Sequence, residues 1–544
     1  MSPRDEDNQC ARSAQDGTCL SVRTMTTTTP DHVSPQRLAA IDIGTNSIRC
    51  IVVEATAPGS FRVLDDEKAQ ARLGEGLTES GTLSAAAMER AIDALQRMTR
   101  ICAGLGAEIA AVVATSAVRK ADNGKDFLTQ VKSRTGLDIE VISGEQEGDL
   151  AALSVHHNFN MDQQRFAVVD IGGGSVEIVI ATGHHTESVI SLDLGAVFLT
   201  ETYLPHDPVS GTELEQLRKK IRKGLKKNDI GKGLPVACIV GSGGTMTNIG
   251  SMIMALRGEQ YESVHRYEVL HSEVVHLLAM VSRKTQKERL LIAGLNPDRA
   301  DIILAGIVLT DELMRRLRTN QLRINDQGIR EGLILRSLQQ RGLLPQLEQP
   351  RHWREAVLEF ARSCRFDELH ATQVTLLAQE IFAALTTAYD LTSRHRELLE
   401  AAALLHDIGY FISYDRHHRH SYHLIRHANL FGFTPREREL IANIARYHRK
   451  AKPQKSHENF AQLNADDQLL VRRLGGILRL ADGLDRRRNR QVEQVQCVLT
   501  EQRMELLLRS RHELSVELYG ARSKGDLFEQ AFARQLHVTT EDLS

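Results

Sequence analysis

The chain has 544 residues, of which 42% are apolar and 25% charged, and its 68 basic and 70 acidic side chains nearly cancel. This length exceeds what one hydrophobic core organises, so we expect three or four domains. No apolar stretch approaches the ~20 residues that a membrane-spanning helix needs. The 4% aromatic content disfavours recognition of nucleic-acid bases by stacking, and no nucleic-acid partner is expected.

The segment 1–36 is polar, rich in Thr, Ser and Pro, and aperiodic, which predicts a disordered leader. Met25 is an alternative start of translation within it. Seven scattered cysteines without Cys-x-x-Cys spacing argue against a disulfide framework and a zinc ribbon. This cysteine usage favours a reducing, cytoplasmic location.

From residue 37 onward, strands and helices alternate, which is typical of an α/β domain. The segment AAIDIGTNSIRCIVV predicts two strands around a polar turn, and a helix follows with Ser84 as its N-cap. The segment AVVDIGGGSVEIVI begins a second round with the same Asp-Ile-Gly core and a hydroxyl residue shortly after it. We therefore predict a duplicated pair of α/β domains at 37–158 and 159–345.

The pattern changes after the Pro-containing stretch near residue 345. A helical period dominates from 346 to 492 and predicts an all-α domain. The last segment, 493–544, has short alternating runs and a closing helix, which predicts a small α+β domain.

Three glycine-rich turns each follow an apolar strand: DIGTNS, DIGGGS and GSGGT. Glycine lacks a Cβ atom, so backbone amides at such turns can converge on an anion. None of the turns has the Lys-Ser/Thr ending of a Walker A loop. We predict that the following residues bind phosphate: Asn46, Ser47, Gly172, Gly173, Gly174, Ser175, Gly243, Gly244 and Thr245.

The order of these turns resembles the actin, sugar kinase and heat-shock ATPase fold, also described as actin/RNase H-like. The finer motifs are similar to those of the exopolyphosphatase and guanosine pentaphosphate phosphohydrolase family, in its long form with an HD-like C-terminal half. They are DIGTNSIR, ARLGEGL, ATSAVRKADNG, VISGEQEG, DIGGGSVE, SLDLGAVFLTE, GSGGT, GLNPDRADIILAG and GIREGLI, across residues 38 to 335.

Hydrolysis of a phosphoanhydride needs charge neutralisation and a positioned water. Arg119 is predicted to clamp phosphate oxygens, and Asp170 and Glu177 to bind Mg²⁺, which prefers hard oxygen ligands. The resemblance places the general base at Glu147, with Glu145 as the alternative in the same segment.

In the helical part, His370, His406, Asp407 and Asp482 are similar to the ligands of HD-domain phosphohydrolases, which hold a divalent metal. Five further histidines could contribute to that site or contact phosphate: His417, His418, His420, His423 and His448. The alternative is an HD-like scaffold that only packs and binds polyanion.

The resemblance implies an exopolyphosphatase that releases orthophosphate from inorganic polyphosphate, acting as a homodimer. Conversion of guanosine pentaphosphate to the tetraphosphate (pppGpp to ppGpp) at the same site is the closest alternative. A sugar or acetate kinase on this fold, and a non-catalytic polyphosphate- or alarmone-binding regulator, are the more distant ones.

Overall fold

The computed structural model describes residues 36–57, 60–161, 163–344 and 352–543. The predicted leader, including Met25, lies outside the described residues except for Gln36, which opens the first strand.

The first α/β domain is built on a five-stranded sheet with the order β3-β2-β1-β4-β5. Strands β1 to β3 form an antiparallel meander, whereas β4 and β5 join it in parallel after helical crossovers. Its elements are β1 Gln36–Ile43, β2 Ile48–Ala57, β3 Ser60–Ala69, α1 Leu77–Ser80, α2 Ala85–Gly104, β4 Glu108–Ala114, α3 Ser116–Lys120, α4 Gly124–Thr135, β5 Glu140–Val141 and α5 Gly144–Asn158.

The second α/β domain repeats this plan on a six-stranded sheet with the order β10-β11-β9-β6-β7-β8. A short 3₁₀ turn, Pro297–Arg299, precedes its longest buried helix, α11. Its elements are β6 Arg165–Ile171, β7 Val176–Thr182, β8 His185–Leu192, α6 Ala196–Tyr203, α7 Gly211–Lys227, β9 Ile239–Ser242, α8 Gly243–Leu256, β10 Glu268–Leu270, α9 His271–Val281, α10 Gln286–Arg289, α11 Ile303–Leu317, β11 Gln321–Ile324 and α12 Ile329–Gln340.

The duplication is visible in the strand registers. In the first hairpin Asp42 pairs with Arg49, and in the second Asp170 pairs with Glu177 at the equivalent position. Both turns close with the same bond, in which the first glycine donates its backbone N–H to the carbonyl of the serine three residues later, over 3.1 Å and 3.0 Å. The two hairpins are thus one structural unit used twice.

Helix α12 links the two α/β domains, since it follows the last strand of the second but packs on the first. Its apolar face, including Leu333, Ile334 and Leu338, shares a buried core with Leu38 and Ile51 of the first sheet. Because α12 packs on the first domain, the loop that precedes it lies between the two α/β domains.

The rest of the chain folds around one continuous core. Apolar residues of the helices pack in it together with Met504, Leu506 and Val538 of a three-stranded sheet, so the predicted α+β segment is part of the helical domain's core. The elements are α13 Trp353–Ser363, α14 Glu368–Leu385, α15 Ser393–Leu405, α16 His417–His427, α17 Pro435–Arg446, α18 Glu458–Ala461, α19 Ala465–Leu484, β12 Gln494–Leu499, β13 Arg503–Ser510, α20 Ser515–Lys524, α21 Asp526–Phe532 and β14 Gln535–Asp542, with a 3₁₀ turn at Ile408–Phe411.

Among the described residues, none of the helices has the length and apolar character needed to cross a membrane.

Candidate active site

The two hairpin turns face each other across a cleft between the α/β domains. A Cβ atom at Gly174 would lie 2.6 Å from Ser116 Oγ and 3.2 Å from Thr45 Oγ1, and one at Gly173 would lie 2.9 Å from Thr45 Cβ. Glycine is required at these positions because any side chain would force the two turns apart. The turns are therefore held close enough to contact one anion together.

The third turn enters the cleft at the start of α8. Gly243 has φ +85°, which favours glycine, and a Cβ atom there would lie 2.5 Å from Asp170 Oδ1. Gly243 and Gly244 line the cleft, and Gly244 packs against the Arg299 guanidinium. Thr245 lies outside the cleft lining, since its buried side chain contacts Gly306 of α11, and its neighbour Thr247 lines the cleft instead.

The cleft encloses about 120 Å³, well below the ~300–1,000 Å³ of typical small-molecule pockets. A space of this size suits a group no larger than one or two phosphates. All the other predicted phosphate-binding residues line it: Asn46, Ser47, Gly172, Gly173, Gly174 and Ser175.

The cleft is lined by more acidic than basic side chains. Six carboxylates and three arginines line the cleft: Asp42, Glu147, Asp170, Glu177, Asp326, Glu331, Arg49, Arg299 and Arg330. Fully ionised, these groups would repel a polyanion. The chemistry of the site therefore calls for protonated carboxylates or bound cations.

Glu147 reaches the cleft from the first turn of α5. A capping box between Ser143 and Gln146 fixes the start of this helix, and Gly144 and Gly148 allow it to pack closely on β7 and β8. Glu147 is 4% exposed, whereas Glu145 points to solvent and does not line the cleft. Of the two candidate bases, only Glu147 lines the cleft together with the glycine turns.

Burial raises the pKa of the Glu147 carboxyl to about 7, and the adjacent Arg119 guanidinium opposes this rise. Arg119 donates 2.6 Å hydrogen bonds to Glu147 Oε1 and to the backbone carbonyl of Ile142. It does not line the cleft. The structure therefore shows Arg119 holding the carboxylate and not reaching the space for phosphate.

Three other acidic groups of the lining interact with one another: Asp170 and Glu177 are buried, and Asp42 is partly buried. Burial raises the pKa of Asp42 and of Asp170 to about 6, with Arg49 opposing the rise at both. Burial and the neighbouring Glu147 raise the pKa of Glu177 well above its usual range, although Ser191 Oγ donates a 2.9 Å hydrogen bond to Glu177 Oε1. A divalent cation would favour the ionised forms of all these groups.

The donor set fits Mg²⁺. Asp42 Oδ1 is buried without a hydrogen-bond partner in the structure, and so is Ser116 Oγ, which lies close to Gly174. Buried carboxylate oxygens without a partner are costly unless an ion or water satisfies them. Asp42, Asp170 and Glu177 are hard oxygen donors of the kind that Mg²⁺ prefers.

The sequence motifs contained several cleft residues to which no role was assigned. Asp42 occupies the position in the first hairpin that Asp170 occupies in the second. The sequence repeat therefore indicates that Asp42, like Asp170, lies in the cleft. Arg49, Arg299 and Arg330 belong to the motifs DIGTNSIR, GLNPDRADIILAG and GIREGLI. These three arginines meet in the cleft because α12 packs back on the first domain. The spacing of the motifs along the sequence does not reveal this contact.

The four residues of the second predicted site lie together in the helical domain. His370 Nε2 lies 3.5 Å from Asp482 Oδ1 and 3.9 Å from Asp407 Oδ2, and His406 Nε2 lies 3.6 Å from the same oxygen of Asp407. Of the additional histidines, His417 and His448 also contact Asp407. His418 is buried beside them, whereas His420 is partly exposed and His423 is exposed.

Two duplicated α/β domains of the actin-like type, meeting at a cleft of glycine turns and carboxylates, define the class of protein. The model of the Ppx/GppA phosphatase family matches residues 52–341, and that of Ppx/GppA phosphatase domain III matches residues 354–518. The chain belongs to the Ppx/GppA phosphatase family.

Solved structures support this assignment. The Aquifex aeolicus member of the Ppx/GppA family is 30% identical with a TM-score of 0.50, covering 56% of this chain and 99% of its own. An exopolyphosphatase from Cytophaga hutchinsonii is 25% identical with a TM-score of 0.53, covering 56% of this chain and 98% of its own. An exopolyphosphatase-like protein is 26% identical with a TM-score of 0.51, covering 55% and 98%.

Proposed function

We propose that the chain is a Mg²⁺-dependent exopolyphosphatase, which releases orthophosphate from the end of inorganic polyphosphate. The observation that carries the proposal is the buried Glu147 carboxylate facing two opposed glycine turns in one small cleft. The similarity to the Cytophaga hutchinsonii exopolyphosphatase supports the choice of substrate.

In this mechanism the amides of the two turns, together with Asn46, Ser47 and Ser175, hold the terminal phosphoryl group. Glu147 accepts a proton from a water molecule, whose oxygen bonds to the terminal phosphorus as the anhydride P–O bond breaks. The shortened polyphosphate leaves with the bridging oxygen, and Glu147 returns its proton to solvent. When bound, Mg²⁺ would supply positive charge against the phosphate oxygens, with Asp170 and Glu177 as its proposed ligands and Asp42 beside them.

A pKa near 7 suits Glu147 to this role because a base works best when its pKa lies near the working pH. Arg119 is a positioning residue, since it acts through Glu147. The exposed Glu145 has no comparable access to the cleft.

The test compares Glu147→Gln with Glu145→Gln. We expect Glu147→Gln to abolish orthophosphate release from polyphosphate while substrate binding, measured by filter retention, persists. Glu145→Gln, two residues away on the exposed side of the same helix, should be near normal. Near-normal turnover by Glu147→Gln would refute the assignment of the base.

The same preparation should be assayed with guanosine pentaphosphate, because conversion of pppGpp to ppGpp is the closest alternative that the sequence motifs leave open. Faster release of phosphate from pppGpp than from polyphosphate would replace the proposed substrate but retain the mechanism. Tight binding of both without turnover would favour the non-catalytic regulator.

The family assignment leaves the kinase alternative without support. A cytoplasmic location and a homodimer stay predictions, the second testable by analytical ultracentrifugation.

A further inference from the structure

A second cavity lies between the second α/β domain and the helical domain. It encloses about 540 Å³, within the ~300–1,000 Å³ of typical sites for small molecules. Its walls come from the end of α5, from strands β10 and β11 with the loop before them, and from the start of α17. Among the described residues, this cavity and the phosphatase cleft share no lining residue. The cavity is therefore a separate candidate site.

More basic than acidic side chains line this cavity, which is the reverse of the phosphatase cleft. Guanidinium groups bind phosphate and carboxylate oxygens through several N–H groups at once, so an excess of them favours an anionic ligand. Five arginines and three glutamates contribute to the lining: Arg257, Arg266, Arg323, Arg394, Arg436, Glu259, Glu268 and Glu437.

Two of these arginines have N–H groups that no protein atom accepts. Arg323 Nε is buried without a hydrogen-bond partner, although Glu268 Oε1 lies 3.2 Å away. A buried donor of this kind is unfavourable until a ligand or water satisfies it. Arg436 donates to Asp467 from Nε over 2.9 Å and from Nη2 over 2.6 Å. Asp467 lies outside the lining, so this pair fixes the guanidinium and leaves the Nη1 hydrogens for a ligand.

Aromatic rings form another part of the wall. Tyr261 is half-buried and lines the cavity together with Tyr267, with 6.2 Å between the ring centroids. Arg257 lies over the Tyr267 ring, 5.1 Å from its centroid. A planar base can stack on such rings while its phosphates contact guanidinium groups. Rings and arginines in one cavity therefore favour a nucleotide over a free phosphate chain.

The C-terminal end of α5 connects this cavity to the cleft. Asn158 lines the cavity, and its Nδ2 donates a 2.7 Å hydrogen bond to Oε1 of Gln327, which lines the cleft. The Asn158 carbonyl accepts a hydrogen bond from Arg266, which also donates a 2.9 Å bond to the Leu430 carbonyl of the helical domain. The same helix carries Glu147 in its first turn. A ligand that moves the end of α5 would therefore act on the cleft.

We propose that this cavity binds a nucleoside triphosphate as an effector, with its phosphates on Arg323 and Arg436 and its base beside Tyr261. Occupancy of the cavity changes the rate at the cleft through Asn158 and Gln327. The binding does not depend on the proposed exopolyphosphatase activity, whereas the effect on the rate rests on it.

The binding experiment is calorimetric titration of the full-length protein with ATP in excess EDTA. Without divalent cations the acidic cleft repels phosphates, whereas the arginines of the cavity need no cation. Arg323→Met and Tyr261→Leu should each weaken ATP binding about tenfold or more. Inorganic tripolyphosphate, which lacks a base, should bind at least about tenfold more weakly than ATP.

Arg134→Met is the matched control, because it removes an arginine that is ion-paired with the exposed Glu89 outside the cavity. It should bind ATP normally, and so should Asp170→Asn in the phosphatase cleft. Circular dichroism checks that each variant is folded. If Arg323→Met fails to fold, Tyr261→Leu and the tripolyphosphate titration still decide the question.

The rate effect is measured with the β,γ-imido analogue of ATP, which does not release its terminal phosphate. At saturation it should change orthophosphate release from polyphosphate by about fivefold or more. Arg323→Met should keep the basal rate and lose the response. Asn158→Ala should still bind the analogue but lose most of the response, because the bond to Gln327 is gone.

Failure of ATP to bind in EDTA would overturn the proposal. Equal affinities for ATP and tripolyphosphate would make this a phosphate site and overturn the assignment to a nucleotide. Loss of ATP binding in Asp170→Asn but not in Arg323→Met would place ATP in the cleft, which also contradicts the proposal. Binding without a change in the rate of an active enzyme would overturn the coupling. If polyphosphate proves not to be a substrate, the titrations alone decide whether the cavity binds a nucleotide.

Discussion

Replacing Arg119 by methionine separates its effect on Glu147 from direct contact with substrate. Arg119 holds Glu147 Oε1 at 2.6 Å at the edge of the cleft. Methionine preserves the length of the side chain but removes the positive charge. The rise in the Glu147 pKa that burial causes is then no longer opposed by Arg119. We expect the pKa of Glu147 to rise above its present value of about 7.

The size of the effect follows from the geometry. An opposite charge at this distance lowers a carboxyl pKa by about 1–3 pH units. The Arg119 and Glu147 side chains are 27% and 5% exposed, so some screening by solvent applies. With a change of about 1–2 pH units, the midpoint moves to between about pH 8 and pH 9. The ionised fraction at pH 7 then falls from about one half to between ~0.1 and ~0.01, lowering turnover about five- to fiftyfold.

The assay is the pH profile of orthophosphate release from polyphosphate between about pH 5.5 and pH 10, a range that extends at least about one pH unit beyond the expected midpoints on either side. A base acts in its ionised form, so activity is lost as pH falls through the pKa, and the variant should recover near pH 10. Arg119→Lys should show a smaller displacement.

Arg134→Met is the matched control, since Arg134 forms an ion pair with the exposed Glu89 outside the cleft. It should leave the profile unchanged. An unaltered midpoint in Arg119→Met, with a raised KM, would refute this reasoning and return Arg119 to the role of a phosphate clamp.

Three further predictions concern the turns, the metal and the fold. Gly174→Ala should lower kcat at least about tenfold with little change in Tm, because the added methyl would press Ser116 and Thr45 away from the second turn. Asp170→Asn should raise the Mg²⁺ concentration needed for half-maximal rate about tenfold or more, measured by Mg²⁺ titration, whereas an unchanged requirement would remove Asp170 from the ligand set. Ile334→Ala in α12 should lower the free energy of unfolding of the α/β half by about 2–5 kcal/mol in urea titration, since Ile334 is fully buried against the first sheet, and a loss below ~1 kcal/mol would contradict that packing.

Much of the chain's organisation could be predicted from the sequence because it rests on local patterns. The strand–turn–strand repeats appear at β1–β2 and β6–β7, and Ser84 caps α2 as expected. The helical period after residue 352 also corresponds to helices. The C-terminal strands were predicted as a small domain, but their apolar faces complete the helical core, a relation that short alternating runs do not encode.

Part of the candidate site could likewise be predicted from the sequence, and part of it depends on tertiary packing. The glycine turns and nearby acidic residues predict a phosphate-binding cleft from the sequence, because few residue types permit such backbone geometry, and the structure brings most of them into one cleft. Which of Glu145 and Glu147 faces the cleft depends on the rotation of α5, fixed by its packing on β7 and β8. The contact of Arg119 with Glu147, in place of phosphate, depends equally on that packing.

The sequence by itself determined the duplicated α/β plan, the helical second half and the family, because repeats, periodicity and motifs are linear properties of the chain. Only the tertiary structure determines which charged side chains lie together in the cleft. Arg49, Arg299 and Arg330 come from three distant segments, and they join Asp42 and Asp170 only because α12 crosses back over the first domain. The two oxygens of Asp407 likewise face two pairs of histidines only after the helices pack, since distances across a bundle are set by its core.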